Sequence, residues 1–303
     1  MTQPALMIGL GELLWDFLPS GKMLGGAPAN FAYMVSLLGN KGIVASRTGN
    51  DDLGREARDV MQRMRLSPAF MQEDPRHSTG MVSVKLDGDG QPEFEIKDSV
   101  SWDFLEWTPS WEELASGADV VCFGTLAQRS PVSRNTIQQF LRAVPERALR
   151  VYDVNLRGAF FTAEVLRSSF IVAHIVKLNA DELVRVTDLL GTGGHGEEER
   201  AVRLLEEFDL RMICVTRGAQ GSLLMSKEKT VAHGGFRIRI ADAVGAGDAF
   251  TACLAHNYVL GKSLEEISES ANRFGAWVAT QSGATPAIPG AGLQEALNAI
   301  DSR

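Results

Sequence analysis

Short apolar runs alternate along this chain with longer segments of helical periodicity. Leu6–Leu10, Lys41–Thr48, Asp119–Gly124, Val151–Asn155, Ile171–Leu178, Met212–Thr216 and Ser222–Met225 read as strands. Between them, Phe31–Leu38, Leu53–Leu66, Pro131–Ala143, Glu197–Phe208 and Ala249–Leu260 read as helices. Start signals support this division. Ser130-Pro131 supplies an N-cap and a first-turn proline, and Ser263-Leu264-Glu265-Glu266 is a capping box opening a helix to about Ser282. A short helix follows Asn179-Ala180-Asp181-Glu182, Gly191–Gly196 is a polar loop, and Gly290–Ile300 is a terminal helix. Strand then helix, repeated, predicts an α/β fold on a mostly parallel sheet flanked by helices.

One segment breaks the rhythm. Gly80–Leu86 and Pro92–Lys97 alternate as strands around the turn Asp87-Gly88-Asp89-Gly90, which predicts a hairpin. With one polar face, it is expected outside the main sheet as a flap or lid. Asp16, before Pro19-Ser20-Gly21, reads as the start of a loop or a short flanking strand. No internal repeat or composition break divides the chain, so residues 1–303 are expected to form one domain.

Composition narrows the function. The net charge of −8 comes without a basic tract, which argues against nucleic acid as a partner. No apolar run reaches the ~20 residues of a membrane span. The N-terminal apolar stretch has no basic segment before it and is interrupted by Glu12, so the cytoplasm is the expected location. Cys122, Cys214 and Cys253 are odd in number and far apart, and read as buried reduced thiols. His174 reads as a core or edge residue.

Polar or glycine-rich clusters fall at the expected strand-to-helix junctions: Gly25–Asn30, Asp153–Arg157, Asn179–Glu182 and Asp242–Asp248, with a glycine turn at Thr216–Gly221. Gly245-Ala246-Gly247 opens an apolar helix, and a helix N-terminus favours anions through its unpaired N–H groups. Asp248 there reads either as a helix cap or as a base beside an anion hole. Gly9-Leu10-Gly11 begins like a dinucleotide fingerprint but lacks the third glycine. No G-x-S-x-G, H-E-x-x-H or Walker loop occurs. A base, an anion site and acidic residues for Mg²⁺ fit phosphoryl transfer, in which positioning and electrostatics dominate.

These residues resemble the ribokinase-like carbohydrate kinases, also called the phosphofructokinase B family. Gly25-Gly26-Ala27-Pro28-Ala29-Asn30-Phe31-Ala32, with Gly39 and Gly49, is similar to the family's N-terminal signature. Asp242-Ala243-Val244-Gly245-Ala246-Gly247-Asp248 is similar to its C-terminal one. The resemblance spans nearly the whole chain and implies a three-layer fold with a small β-lid near residues 12–25 and 78–100. It implies Asp248 as the base and Gly245, Ala246 and Gly247 as the anion hole. Asp16, Gly26 and Asn30 would hold sugar hydroxyls, with Phe94 and Arg157 as further candidate substrate residues. Asn179, Thr216, Gly218, Gly221 and Asn272 would serve ATP, and Glu182 would place Mg²⁺ through water. Asp242, Val244 and Gly283 would form a monovalent-cation site for K⁺, although Ala243 and Ala287 depart from the pattern of cation-dependent relatives. A homodimer through the lid is compatible with the hairpin's pattern.

Gly11-Glu12-Leu13-Leu14-Trp15-Asp16 and Gly124–Arg129 are most similar to the fructokinase branch. Arg129 and Arg157 leave open a carboxylate-bearing sugar, as in a 2-keto-3-deoxygluconate kinase, and a ribokinase is the other sugar alternative. From another class, the chain could be an inactive sugar- or nucleotide-binding sensor.

Overall fold

A strand that is apolar on both faces must be covered twice, and that requirement organises the chain. The computed structural model describes residues 3–18, 21–86, 92–290 and 292–301. The N-terminal part contains β1 (Leu6–Leu10), β2 (Leu14–Leu18), β3 (Gly21–Gly25), α1 (Ala27–Leu37), β4 (Lys41–Gly49), α2 (Asp52–Arg63) and β5 (Met71–Asp74). The middle contains β6 (Gly80–Leu86), β7 (Pro92–Ile96), α3 (Pro109–Ser116), β8 (Val120–Gly124), α4 (Pro131–Ala143), β9 (Leu149–Asp153) and α5 (Ala163–Val172). Then follow β10 (Ile175–Asn179), α6 (Ala180–Leu190), α7 (Gly196–Glu207), β11 (Met212–Thr216), β12 (Ser222–Met225) and β13 (Thr230–His233). Helices α8 (Ala246–Val259), α9 (Leu264–Ala279) and α10 (Leu293–Asn298) close the chain.

Among the described residues, nine strands form one sheet in the order β13-β12-β11-β10-β9-β8-β1-β4-β5. From β11 to β5 all neighbours are parallel, while β12 and β13 add an antiparallel edge. Alternate side chains divide the core. Ile8, Phe123, Tyr152, Val176 and Ile213 pack with Phe140 of α4, Phe170 of α5 and Leu204 of α7. Met7, Cys122, Val151, Ile175 and Cys214 pack with Phe31 of α1, Phe250 of α8 and Phe274 of α9. The result is the expected three-layer fold. The three cysteines are free and buried, and no helix among the described residues is long and apolar enough to cross a membrane.

A second sheet, β3-β2-β6-β7, stands apart from the first. The predicted hairpin supplies β6 and β7, while its turn at Asp87–Gly90 lies outside the described residues, as do Pro19 and Ser20. Of the two readings of Asp16, the short flanking strand is the one found. Asp16 lies mid-strand in β2, opposite Met23 of β3 and Val82 of β6.

Several boundaries differ from the sequence expectation. The strand expected from Ile171 begins at Ile175, because α5 runs to Val172 and leaves Ile171 65% exposed. Thr162 starts that helix by accepting from the Val165 N–H at 3.2 Å. His174, at the junction, accepts from the Arg150 N–H through Nδ1 at 3.3 Å. Helix α8 begins at Ala246 rather than Ala249, since glycine and alanine do not end a helix that tertiary packing supports. Helix α9 stops at Ala279, and the terminal helix is confined to α10.

Candidate active site

Strands β1, β9, β10 and β11 end at the same edge of the sheet, where open α/β folds bind ligands. Helix α1 is pressed against β1 there. A Cβ at Gly9 would lie 2.0 Å from the Pro28 carbonyl oxygen, so this glycine serves helix packing rather than a dinucleotide turn. The contact places Asn30 in the first turn of α1, facing the N-terminus of α8. Asn30 is 5% exposed and its Nδ2 donates to Asp248 Oδ2 at 2.7 Å. Two segments 218 residues apart in sequence thus meet in one hydrogen bond.

Gly245 is the N-cap of α8, with φ 79°. A Cβ there would lie 2.6 Å from Ala284 Cα, so both backbone conformation and space require glycine. The Ala246 N–H is turned toward the Ala243 carbonyl at 3.3 Å. By helix geometry, the N–H groups of Gly247 and Asp248 have no acceptor one turn back within the helix. Burial raises the Asp248 carboxyl to about 6, and repulsion from the Asp153 carboxylate adds to the shift while the Asn30 hydrogen bond opposes it.

A cavity of about 730 Å³ opens at this edge. Asp16, Gly26, Asn30, Arg157, Asp242, Val244, Gly245, Gly247 and Asp248 line it together. Leu14, Met23, Leu24, Val82 and Ile96 of the smaller sheet close its other side. Asp16 is raised by burial, with Arg157 acting against the shift. Ala246 is not in the lining, and Phe94 lies on β7 opposite Val84 with a side chain outside the described residues.

Other predicted positions lie beyond this cavity. Thr216 pairs with Asn179 across β10 and β11, and Gly218 and Gly221 shape the turn into β12. Beside them a groove of about 560 Å³ is lined by Ala180, His195, Gly196, Glu197, Glu198, Arg217 and Gln220. Asn179 Oδ1 accepts from the Glu182 N–H at 2.8 Å, and Glu182 Oε2 accepts from the Asn179 N–H at 2.8 Å. Glu182 Oε1 accepts from the Leu156 N–H at 2.8 Å. Both carboxylate oxygens therefore hold backbone, and the residue ties the Asp153–Arg157 loop to α6. Asn272 is 8% exposed and donates to Ser222 Oγ at 2.8 Å and the Ser268 carbonyl at 2.7 Å, bracing α9 against β12. Asp242 accepts from the N–H groups of Val244 at 3.0 Å and Gly283 at 3.2 Å, which joins the three expected cation residues through the carboxylate itself. Among the described residues, no group of three or more His, Cys, Asp or Glu could hold a metal.

Arg129 does not face the cavity. Its guanidinium binds both carboxylate oxygens of Asp103 at 2.8 and 2.7 Å and stacks over Trp102 and Phe160. Arg129→Met is expected to cost about 3–5 kcal/mol in a urea titration, the usual loss when one partner of a buried ion pair is removed. Unchanged stability would return Arg129 to the candidate ligand residues.

Two lining residues receive no role from the sequence. Glu12 is 3% exposed, has no hydrogen-bond partner at Oε2, and is raised by burial to about 7. Lys177, also buried, sits at the β10 position opposite Asp153. Burial disfavours its charge, but Asp153, Glu182 and Asp248 outweigh that and hold it protonated. The one signal that could have found them is a single charge in each of two otherwise apolar runs.

The sequence profile of the pfkB family carbohydrate kinases matches residues 21–291. A probable fructokinase from Arabidopsis thaliana is 28% identical over 94% of this chain and 90% of its own. An uncharacterized sugar kinase from Pyrococcus horikoshii, solved with ATP, superposes with TM-score 0.78 at 26% identity, over 93% of this chain and 94% of its own. A double-mutant fructokinase from Vibrio cholerae O395, solved with fructose, ADP and potassium ion, gives TM-score 0.81 at 25% identity over 98% of both chains. With a three-layer fold, a second sheet over the cavity and both signature segments meeting at Asn30 and Asp248, the chain belongs to the pfkB family of carbohydrate kinases and is a sugar kinase.

Proposed function

We propose that this protein is an ATP-dependent fructokinase. The observation that carries the reading is the Asn30–Asp248 contact, which joins a carboxylate base on the first turn of α8 to the α1 residue expected to hold sugar hydroxyls. Asp16 and Asn30 orient the sugar, and Asp248 takes the proton of the attacking hydroxyl. The α8 N-terminus receives the transferred phosphoryl group. ATP binds along the β10–α6 and β11–β12 turns, near Asn179, Thr216, Gly218 and Gly221. Mg²⁺, carried with the nucleotide, would neutralise phosphate charge, and Glu182 would reach it only through water, since its oxygens hold backbone N–H groups. The sheet of β3, β2, β6 and β7 acts as a lid that excludes water, the competing acceptor.

Fructose is favoured by the fructokinases among the relatives and by the structure of Arg129, whose ion pair with Asp103 removes one of two candidate partners for a sugar acid. A panel of fructose, ribose and 2-keto-3-deoxygluconate with Mg-ATP, read by ADP release, tests this. The highest kcat/KM is expected for fructose. A higher value for either other sugar would overturn the choice of substrate, and no turnover with any sugar would favour a binding-only protein.

A further inference from the structure

The loop after α9 has no element of its own to fix it, yet the lid and the first turn of α8 both rest on it. Residues 282–288 belong to neither a helix nor a strand. Ala284 packs under the α8 N-cap, where a Cβ at Gly245 would lie 2.7 Å from its side chain. Gly283 lies against the lid, since a Cβ there would meet Met23 Cε of β3 at 2.5 Å. Among the described residues, two side-chain hydrogen bonds hold this loop. Asp242 accepts from the Gly283 N–H at 3.2 Å, and the Tyr33 hydroxyl donates to the Pro286 carbonyl at 2.8 Å. Tyr33 is 8% exposed and is not among the residues lining the cavity. Burial raises its phenol above the ordinary value, so the hydroxyl keeps its proton. It follows Asn30 by three residues on α1 and so lies on the same side of that helix. One helix turn therefore makes two long-range bonds, from Asn30 to Asp248 of α8 and from Tyr33 to the loop beneath Gly245.

We propose that Tyr33 is a positioning residue for phosphoryl transfer: its hydroxyl pins the 282–288 loop to α1 and so keeps Asp248 against Asn30. The inference rests on the kinase reading. Helix α8 starts on the left-handed turn at Gly245, which has Ala284 directly beneath it. Without the Tyr33 hydroxyl the Pro286 carbonyl loses a buried donor, and the loop shifts toward water. Ala284 moves with it, and the first turn of α8 loses its support. A displacement of about 1 Å at the base is enough to slow the reaction, because base and nucleophile must meet in one geometry. Tyr33 exchanges no proton or bond with the substrates, so its removal leaves the steps of the reaction unchanged.

The test compares wild type, Tyr33→Phe and Thr136→Val by steady-state kinetics, pH profiles and urea titration. Phenylalanine keeps the ring and its packing, so the variant folds. Thr136 Oγ1 donates to the Leu105 carbonyl at 2.8 Å, a comparable buried bond outside the cavity, so Thr136→Val controls for stability alone. Both variants are expected to lower the urea midpoint by similar amounts. Only Tyr33→Phe is expected to lose about 10–10²-fold in kcat, with the KM values for sugar and ATP little changed. Its acid limb in kcat/KM is expected to move above the wild-type position at about 6, because the Asn30 hydrogen bond holds the Asp248 carboxyl down. The charges around Asp248, which are Asp153 of β9, Lys177 of β10, Arg157 and Glu12, are the same in both proteins. A Tyr33→Phe kcat near wild type, an acid limb that does not move, or an equal kcat loss in Thr136→Val would each overturn this inference alone. Wild-type protein inert with every sugar would overturn the kinase reading, and this inference with it.

Discussion

Asp248→Asn lowers kcat by at least ~10²-fold and leaves ATP binding measurable, the expected size of a general-base contribution. The substitution keeps the shape of the side chain and an oxygen for the Asn30 amide, but removes the proton acceptor. Steady-state kinetics beside calorimetric ATP binding check it, and near wild-type turnover would remove Asp248 from the reaction. Wild-type pH dependence supplies an independent reading. Below about 6 the Asp248 carboxyl carries a proton and cannot accept another. The value of kcat/KM therefore rises about tenfold per pH unit on the acid side and levels off above that pKa. Stability runs the other way. Asp248 and Glu12 ionise from ordinary values of 3.8 and 4.5 when unfolded, and at about 6 and 7 when folded. Their contribution is full below the unfolded values and is lost as pH rises through the folded ones. Burial thus favours the protonated carboxyl for stability, whereas turnover requires the ionised one.

Gly245→Ala is expected to lower kcat by ~10²-fold or more, through displaced phosphoryl donors, and to lower stability by about 1–3 kcal/mol. Gly245 has φ 79°, and a Cβ would meet Ala284 Cα at 2.6 Å and Ala284 O at 2.7 Å. Ala284 belongs to the loop after α9 and cannot yield as a flexible side-chain tip would, so the first turn of α8 must shift. Gly261→Ala separates strain from collision. Gly261 also has positive φ, at 69°, but nothing lies within 4 Å of its Cβ position, and it follows the far end of α8. Its alanine variant should lose about 1 kcal/mol with kcat unchanged. Urea midpoints and kcat for both variants decide the matter, and equal kcat losses would refute a local role for Gly245.

Elements stabilised by their own residues are legible in the sequence. The central strands are apolar on both faces, and the capping boxes at Asn179 and Ser263 satisfy their helix N-termini locally. Weakly patterned elements are not legible in this way. Strands β5 and β13 are short edge strands, and β2 and β3 are defined by pairing with each other and with β6. Helix α5 is hidden because only Ala173 and His174 separate Phe170, Ile171 and Val172 from the next strand, with no glycine or proline to mark the break. Its end is set by which of them finds the core, and Phe170 does while Ile171 does not.

The candidate site divides along the same line. Glycine-rich turns at helix starts and Asp248 beside them are local chemistry, and residue order alone marks them out. That Asn30 binds Asp248, and that Lys177 faces Asp153, depends on strand order and register, which bring distant segments together. Roles also change with burial. Glu182 and Asn272 look free to meet a ligand in the sequence, but folding leaves unpaired backbone and side-chain groups that they satisfy instead. The chain order carries the kinase signature because catalytic turns are local. The cavity, its shifted carboxyls and its enclosed ammonium arise only in the fold, because desolvation and charge proximity are properties of packed neighbours.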